Sequence, residues 1–161
     1  MDEAVMLIGA YAEEDRRLLE LVERFPPAMR DLCPADGRLS LKQTLGHLAY
    51  WDDYAIRFYD IRCHHGVTEP LSPSEFDERN RQVLELIYHD PYEDVLCSYR
   101  EATRLIVTFL RVHWSDLDDA SRKNFKIPLK HRRHHRRHLQ KLLESLSHEL
   151  GPQDALKERA G

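Results

Sequence analysis

Residues 129–143 read L-K-H-R-R-H-H-R-R-H-L-Q-K-L-L, and this stretch decides the fold class. It contains no glycine or proline, and Leu139, Leu142, Leu143 and Leu146 recur at helical spacing, so it reads as one α-helix. It carries four of the chain's ten histidines. Residues four apart share a helix face, with Cβ atoms about 5–6 Å apart. That rule pairs His131 with His135 and His134 with His138. Two imidazoles so placed can hold one ion, at about 2.0–2.1 Å from zinc.

Helical geometry separates the pairs. At about 100° per residue, His135 lies roughly 40° from His131, and the four leucines fall between roughly 20° and 120°. His131 and His135 therefore continue the apolar stripe, and His134 and His138 sit at its edge. Arg133, Arg136 and Arg137 fall on the opposite side. Arg132 is the exception, on the stripe, and must snorkel or meet an anion. The plain alternative is a basic, solvated helix that happens to be rich in histidine.

The rest of the chain reads as helix as well. Of 161 residues, 42% are hydrophobic, 32% charged and 6 are glycine, which suits one compact helical domain and argues against disorder. Residues 3–24 form a first helix with Ala4, Ile8, Tyr11, Leu18, Leu19 and Val22 inward, ended by Phe25-Pro26-Pro27. Cys33-Pro34-Ala35-Asp36-Gly37 is turn chemistry. Ser40-Leu41-Lys42-Gln43 is a capping box opening a second helix to about Cys63, closed by His64-His65-Gly66. Ser72-Pro73-Ser74-Glu75 opens a shorter helix, 73–89. Asp90-Pro91-Tyr92-Glu93 repeats the device for a helix over 91–114, with Asp90 expected as the cap. Residues 115–127 read as a polar loop with room for one short turn, and the last helix runs from about 128 to Leu150, stopped by Gly151-Pro152. No strand signal, repeat or linker appears, so the expectation is an all-α bundle in one domain, 1–151, with a frayed tail, 152–161.

Bundle interiors are where facing helices build metal sites. On the second helix His47, Trp51, Tyr54 and Phe58 share one face. A lone histidine there is ordinarily a hydrogen-bonded core residue. Together with His131 and His135, however, it makes three ligands, the number at which catalytic zinc sites commonly leave one position open. Asp52 also falls on the inner side, as a salt-bridge partner or as an acceptor that orients a ligand imidazole.

Three scattered cysteines, Cys33, Cys63 and Cys97, imply no disulfide framework and point to a reducing compartment, the cytoplasm. The apolar run at the N-terminus is too short for a signal peptide, and no stretch approaches the roughly 20 apolar residues of a membrane span. Net charge is −4, yet residues 120–143 hold nine Lys/Arg and no acid.

These features resemble the DinB-like superfamily, with its YfiT-like and ClbS/DfsB-like branches. Gly46-His47-Leu48 matches that family's motif on the second helix. His131-Arg132-Arg133-His134-His135, with His138-Leu139 trailing, matches H-x-x-x-H on the fourth. Residues 41–54 and Phe76-Asp77-Glu78-Arg79-Asn80 look like the ClbS/DfsB-like branch. The resemblance spans most of residues 3–150. It implies an up-down-down-up four-helix bundle with a short extra helix in the crossover between helices 2 and 3. It also implies a divalent ion, nickel or zinc, on His47, His131 and His135.

Two function classes follow. The first is a metal-dependent enzyme that activates water, as a hydrolase, or a low-molecular-weight thiol, as a transferase. Trp51, Asp52, Tyr54 and His138 would line its pocket for a small-molecule substrate. The second is a binding or self-resistance protein that holds a small molecule against Trp51, Tyr54 and Phe58 without metal catalysis. A nucleic-acid partner for the basic helix is disfavoured, because no helix-turn-helix or aromatic stacking set accompanies it. Exposed bundle faces often pair, so a homodimer is the expected assembly.

Overall fold

A computed structural model of the protein describes residues 2–34, 36–66 and 68–149. The expected Gly151-Pro152 stop and the tail 152–161 lie outside the described residues, as do Ala35 of the first turn and Leu150. Among the described residues the secondary structure is helical, without strands: α1 (Glu3–Glu23), α2 (Leu41–His65), α3 (Pro73–His89), α4 (Tyr92–His113), α5 (Asp119–Asn124) and α6 (Lys126–Glu149). No helix among them is long and apolar enough to cross a membrane.

Local chemistry sets most of these limits. The Ser40 hydroxyl accepts from the Gln43 amide at 3.1 Å, and the Gln43 side chain accepts from the Ser40 amide at 3.0 Å. This reciprocal cap fixes the start of α2 and with it the register of His47. Gly66, at φ 81°, closes α2 in the left-handed conformation that glycine adopts without penalty. Ser72 and Glu75 form the second capping box, at α3.

Two expectations are corrected. Asp90 does not cap α4; it ends α3, and Pro91 precedes α4 with no side-chain cap bond. The 115–127 stretch is not a loop. It contains a 3-10 turn, Trp114–Asp116, and then α5, whose cap is Asp118 accepting from Ser121 N at 2.7 Å. The last helix consequently starts at Lys126. Pro128 falls in its first turn, where a missing N–H costs nothing.

α2 packs most extensively on α4 and also meets α3 and α6, while α1 packs on α6 and α4. The core falls into two clusters. One gathers Leu18 and Leu21 of α1, Leu45 and Leu48 of α2, Leu96 and Tyr99 of α4, and Leu139 and Leu143 of α6. The other gathers Leu7 and Tyr11, Tyr59, Ile106 and Phe109, and Phe125 with Leu129. Between them in sequence, on every one of these long helices, stands a buried or half-buried polar residue: Asp15, Asp52, Thr103 and Arg132. The candidate site adjoins this polar band.

Candidate metal centre

His47 comes from the second turn of α2, and His131 and His135 from successive turns of α6. Their ring nitrogens converge. His47 Nε2 lies 2.9 Å from His131 Nε2, and His135 Nε2 lies 3.0 Å from the same atom. One nitrogen from each ring falls within 4.8 Å of the others, and among the described residues this is the one group of three or more histidines, cysteines or acids so placed. The i, i+4 rule and the inward stripe of α2 thus bring together the three residues that the sequence nominates.

Hydrogen bonding alone does not account for this arrangement. An imidazole nitrogen carries either a proton or a lone pair. His131 Nε2 can therefore not make a full hydrogen bond to both neighbours. Three imidazole nitrogens gathered within 4.8 Å of one another suit a cation instead. Two bonds of about 2.0–2.1 Å at a tetrahedral angle set donor nitrogens roughly 3.3 Å apart, within a few tenths of an ångström of the spacing here. The residues present therefore fit a divalent ion.

The electrostatics agree with that fit. Burial, and then the neighbouring His131, push the His47 imidazole down to about 4. Burial, with His134 and Arg132, takes His131 down to about 4. Burial and four surrounding imidazoles take His135 down to about 3. All three are neutral near pH 7, which is the form that ligates metal. With Nε2 left as the lone pair, the proton resides on Nδ1, and His47 Nδ1 is buried without a partner. No carboxylate orients this ring.

Of the two roles read for Asp52, the structure shows the salt bridge and not the acceptor for a ligand imidazole. Its carboxylate is committed to Arg132 of α6, an ion pair whose side chains are 1% and 0% exposed respectively. Arg132 also donates to the Tyr99 hydroxyl at 2.7 Å and lies 3.5 Å from Asp15. Tyr99 in turn donates to Asp15 at 2.8 Å. Arg132, the one arginine on the apolar stripe, has thus met anions rather than snorkelled. His138 is displaced from its expected place as well. Its ring meets His134 edge-on at 4.1 Å, 6.2 Å from His135, beside a surface recess lined by Arg137, Lys141 and Glu144.

Trp51 and Tyr54 do line a pocket at the site. A cleft of about 370 Å³ runs between α2, α3 and the start of α6, and His131 forms part of its wall. Trp51 is fixed there by donating Nε1–H to Asn80 at 2.8 Å and by stacking on Phe76 at 4.2 Å.

The basic face of α6 is also different from its expected form. Arg136 is not on the far side. Its side chain is 17% exposed and pairs with Glu14 of α1 at 2.5 Å, and Arg133 reaches the same carboxylate at 3.5 Å. On the wheel Arg136 lies only roughly 20° from Leu143, so the edge of the apolar stripe includes it. The sequence does not flag Glu14 and Asp15 as buried partners, and it places Tyr99 inward without showing that its hydroxyl bonds Arg132 and Asp15. The available signal was Glu14 three residues past Tyr11, on the inward stripe of α1. No family model matches this chain, and neither a curated protein nor a solved structure is significantly similar to it.

Proposed function

We propose that this protein is a metal-dependent enzyme built as a DinB-like four-helix bundle, with a divalent ion, nickel or zinc, held by His47, His131 and His135. The observation that carries the reading is the approach of His47 Nε2 and His135 Nε2 to His131 Nε2, across two helices. The bundle would consist of α1, α2, α4 and α6, with α3 as the extra helix of the crossover. The two core clusters support an up-down-down-up order: one joins the C-terminal halves of α1 and α6 to the N-terminal halves of α2 and α4, and the other joins the opposite halves.

A divalent ion at this place supplies a Lewis acid with an open coordination position beside the cleft. The three neutral imidazoles leave its charge uncancelled. Trp51 and Tyr54 provide the walls that position a small molecule against it and exclude water. Asp52 is occupied by Arg132, so no general base is assigned to it. The chemistry then divides between hydrolysis and transfer of a low-molecular-weight thiol. The aromatic cleft favours a second reading, a small-molecule binding or resistance protein without metal catalysis. Pairing of Arg133 and Arg136 with Glu14 speaks against a phosphate-gripping role for α6.

The test is elemental analysis of untagged protein from metal-defined medium, with His47→Ala and His131→Ala alongside. Near-stoichiometric metal in the parent, lost in both variants, is the expected result. Metal that survives His47→Ala, or a folded parent that carries none, would sink the metalloenzyme reading.

A further inference from the structure

The cleft beside His131 has a composition that selects its ligand. Trp51, Tyr54, Phe58, Tyr59 and Phe76 supply five aromatic side chains, and none of the described residues lining it is an Asp, Glu, Lys or Arg. Trp51 has already spent its N–H on Asn80, so it offers only ring surface. The volume, about 370 Å³, lies near the lower end of the roughly 300–1,000 Å³ typical of small-molecule sites. Two large apolar side chains at the cleft remain open to solvent, Ile127 at 60% and Phe76 at 41% exposure. Clustered apolar exposure of this kind marks a binding surface.

These observations exclude most ligand classes on energetic grounds. Away from the His131 end, where the proposed ion would supply positive charge, an ionised group moved against these walls has no counter-charge, and an unpaired buried charge costs several kcal/mol. A polyol would find few partners along the same aromatic surface, with Asn124 and the Tyr54 and Tyr59 hydroxyls as the polar side chains besides His131. A flat apolar ring, in contrast, gains both area burial and offset or edge contacts with the aromatic walls.

We propose that the substrate is a ring-bearing, largely apolar small molecule whose ring portion is uncharged, bound in this cleft with its reacting end at His131. The word substrate rests on the metal centre proposed above; the ligand class rests on the cleft alone. The inference also orders the two chemistries. A hydrophilic co-substrate would have to approach the ion from outside these aromatic walls.

The probe is N-phenyl-1-naphthylamine, a neutral dye that fluoresces when transferred out of water, titrated into the untagged full chain. Naphthalene-1,5-disulfonate, with charges at both ends, is the competitor. Ala55→Trp fills the half-buried floor of the cleft, and Ile127→Asp places a charge at an exposed rim position that folding tolerates. Leu86→Asp, at a 69% exposed residue of α3 that does not line the cleft, is the control. Saturable dye binding is expected, weakened roughly tenfold or more by each cleft variant. Leu86→Asp should leave it unchanged, and the disulfonate should not displace it. Dye binding that ignores both cleft variants, or displacement by the disulfonate, overturns the proposal. Dye binding that falls as the chain dimerises assigns the cleft to a second copy and overturns it too. Metal content is read in each preparation. A chain that holds metal but no dye loses the cleft assignment and keeps the metal centre. A chain that binds dye but no metal keeps the ligand class and loses the enzyme.

Discussion

Arg132 of α6 and Asp52 of α2 form an ion pair closed to solvent, between the two apolar clusters of the core. Arg132 immediately follows His131, and Asp52 immediately follows Trp51, so the pair locks the two helices that bear the three candidate metal ligands and line the cleft. A buried pair is dear to assemble, and breaking it by removing one partner typically costs about 3–5 kcal/mol. Asp52→Asn should therefore destabilise the protein by roughly 3 kcal/mol in urea unfolding at neutral pH. Arg132→Met leaves Asp52 and Asp15 facing each other unneutralised and should cost at least as much. Its penalty should shrink at lower pH, where Asp52, already pushed up by burial against the pull of Arg132, takes a proton. Near-native stability of both single variants at pH 7 would contradict this account.

Gly46, next to His47, lies against Ile87 of α3. A Cβ built there would meet Ile87 Cδ1 at 2.5 Å and Cγ1 at 2.6 Å. In an unpacked helix, Gly→Ala would stabilise by about 1 kcal/mol. Here the overpacking should win, at about 1–3 kcal/mol. Gly46→Ala should lower the thermal midpoint, and Gly46→Ala combined with Ile87→Ala should recover part of that loss relative to Ile87→Ala alone. Additive effects in the double variant would show that the close approach does not set the residue choice.

Metal retention should follow the three convergent imidazoles and no other histidine. His135→Ala should weaken zinc binding in a chelator competition by more than the roughly 10–100-fold that loss of a supporting hydrogen bond costs. His134→Ala and His138→Ala should leave it within a few-fold, because those rings pack edge-on against each other away from the trio. Equal losses in all three variants would mean that the histidine run binds metal as an unstructured cluster.

The sequence makes the helices and the three histidines legible for the same reason: both are short-range. Ser40 and Ser72 announce their helices through residues three positions away, and His131 and His135 share a face by the helix repeat alone. The trio needed only one further long-range guess, His47. What escaped was long-range pairing of charge. Glu14 and Asp15 sit in a run of charged residues that looks solvated, yet both point inward because α6 presents arginines at positions 132 and 136 of its core stripe. Asp52 could be read as a partner for histidine or for a basic residue, and burial of Arg132 decided between them. At the start of α4, Asp90 matched the cap pattern by type and spacing, but it stands instead as the residue just past the end of α3.

The depressed imidazoles carry a stability consequence with a definite sign. In the unfolded chain each titrates near its ordinary 6.5; folded and metal-free, His47 and His131 titrate near 4 and His135 near 3. Between those limits the unfolded state binds more protons than the native state, so stability falls as pH is lowered through 6.5 and levels off only near the folded values. Each imidazole contributes at most about 1.4 kcal/mol per pH unit in that window. Metal-free protein should therefore unfold at clearly lower urea at pH 5 than at pH 7.5, and bound metal should widen the gap, because protons compete for the same nitrogens. In metal-free His47→Ala the difference between the two pH values should shrink by about one histidine's share. A pH dependence untouched by that substitution would place the titrating groups elsewhere and undo the claim that the three rings are held neutral by burial.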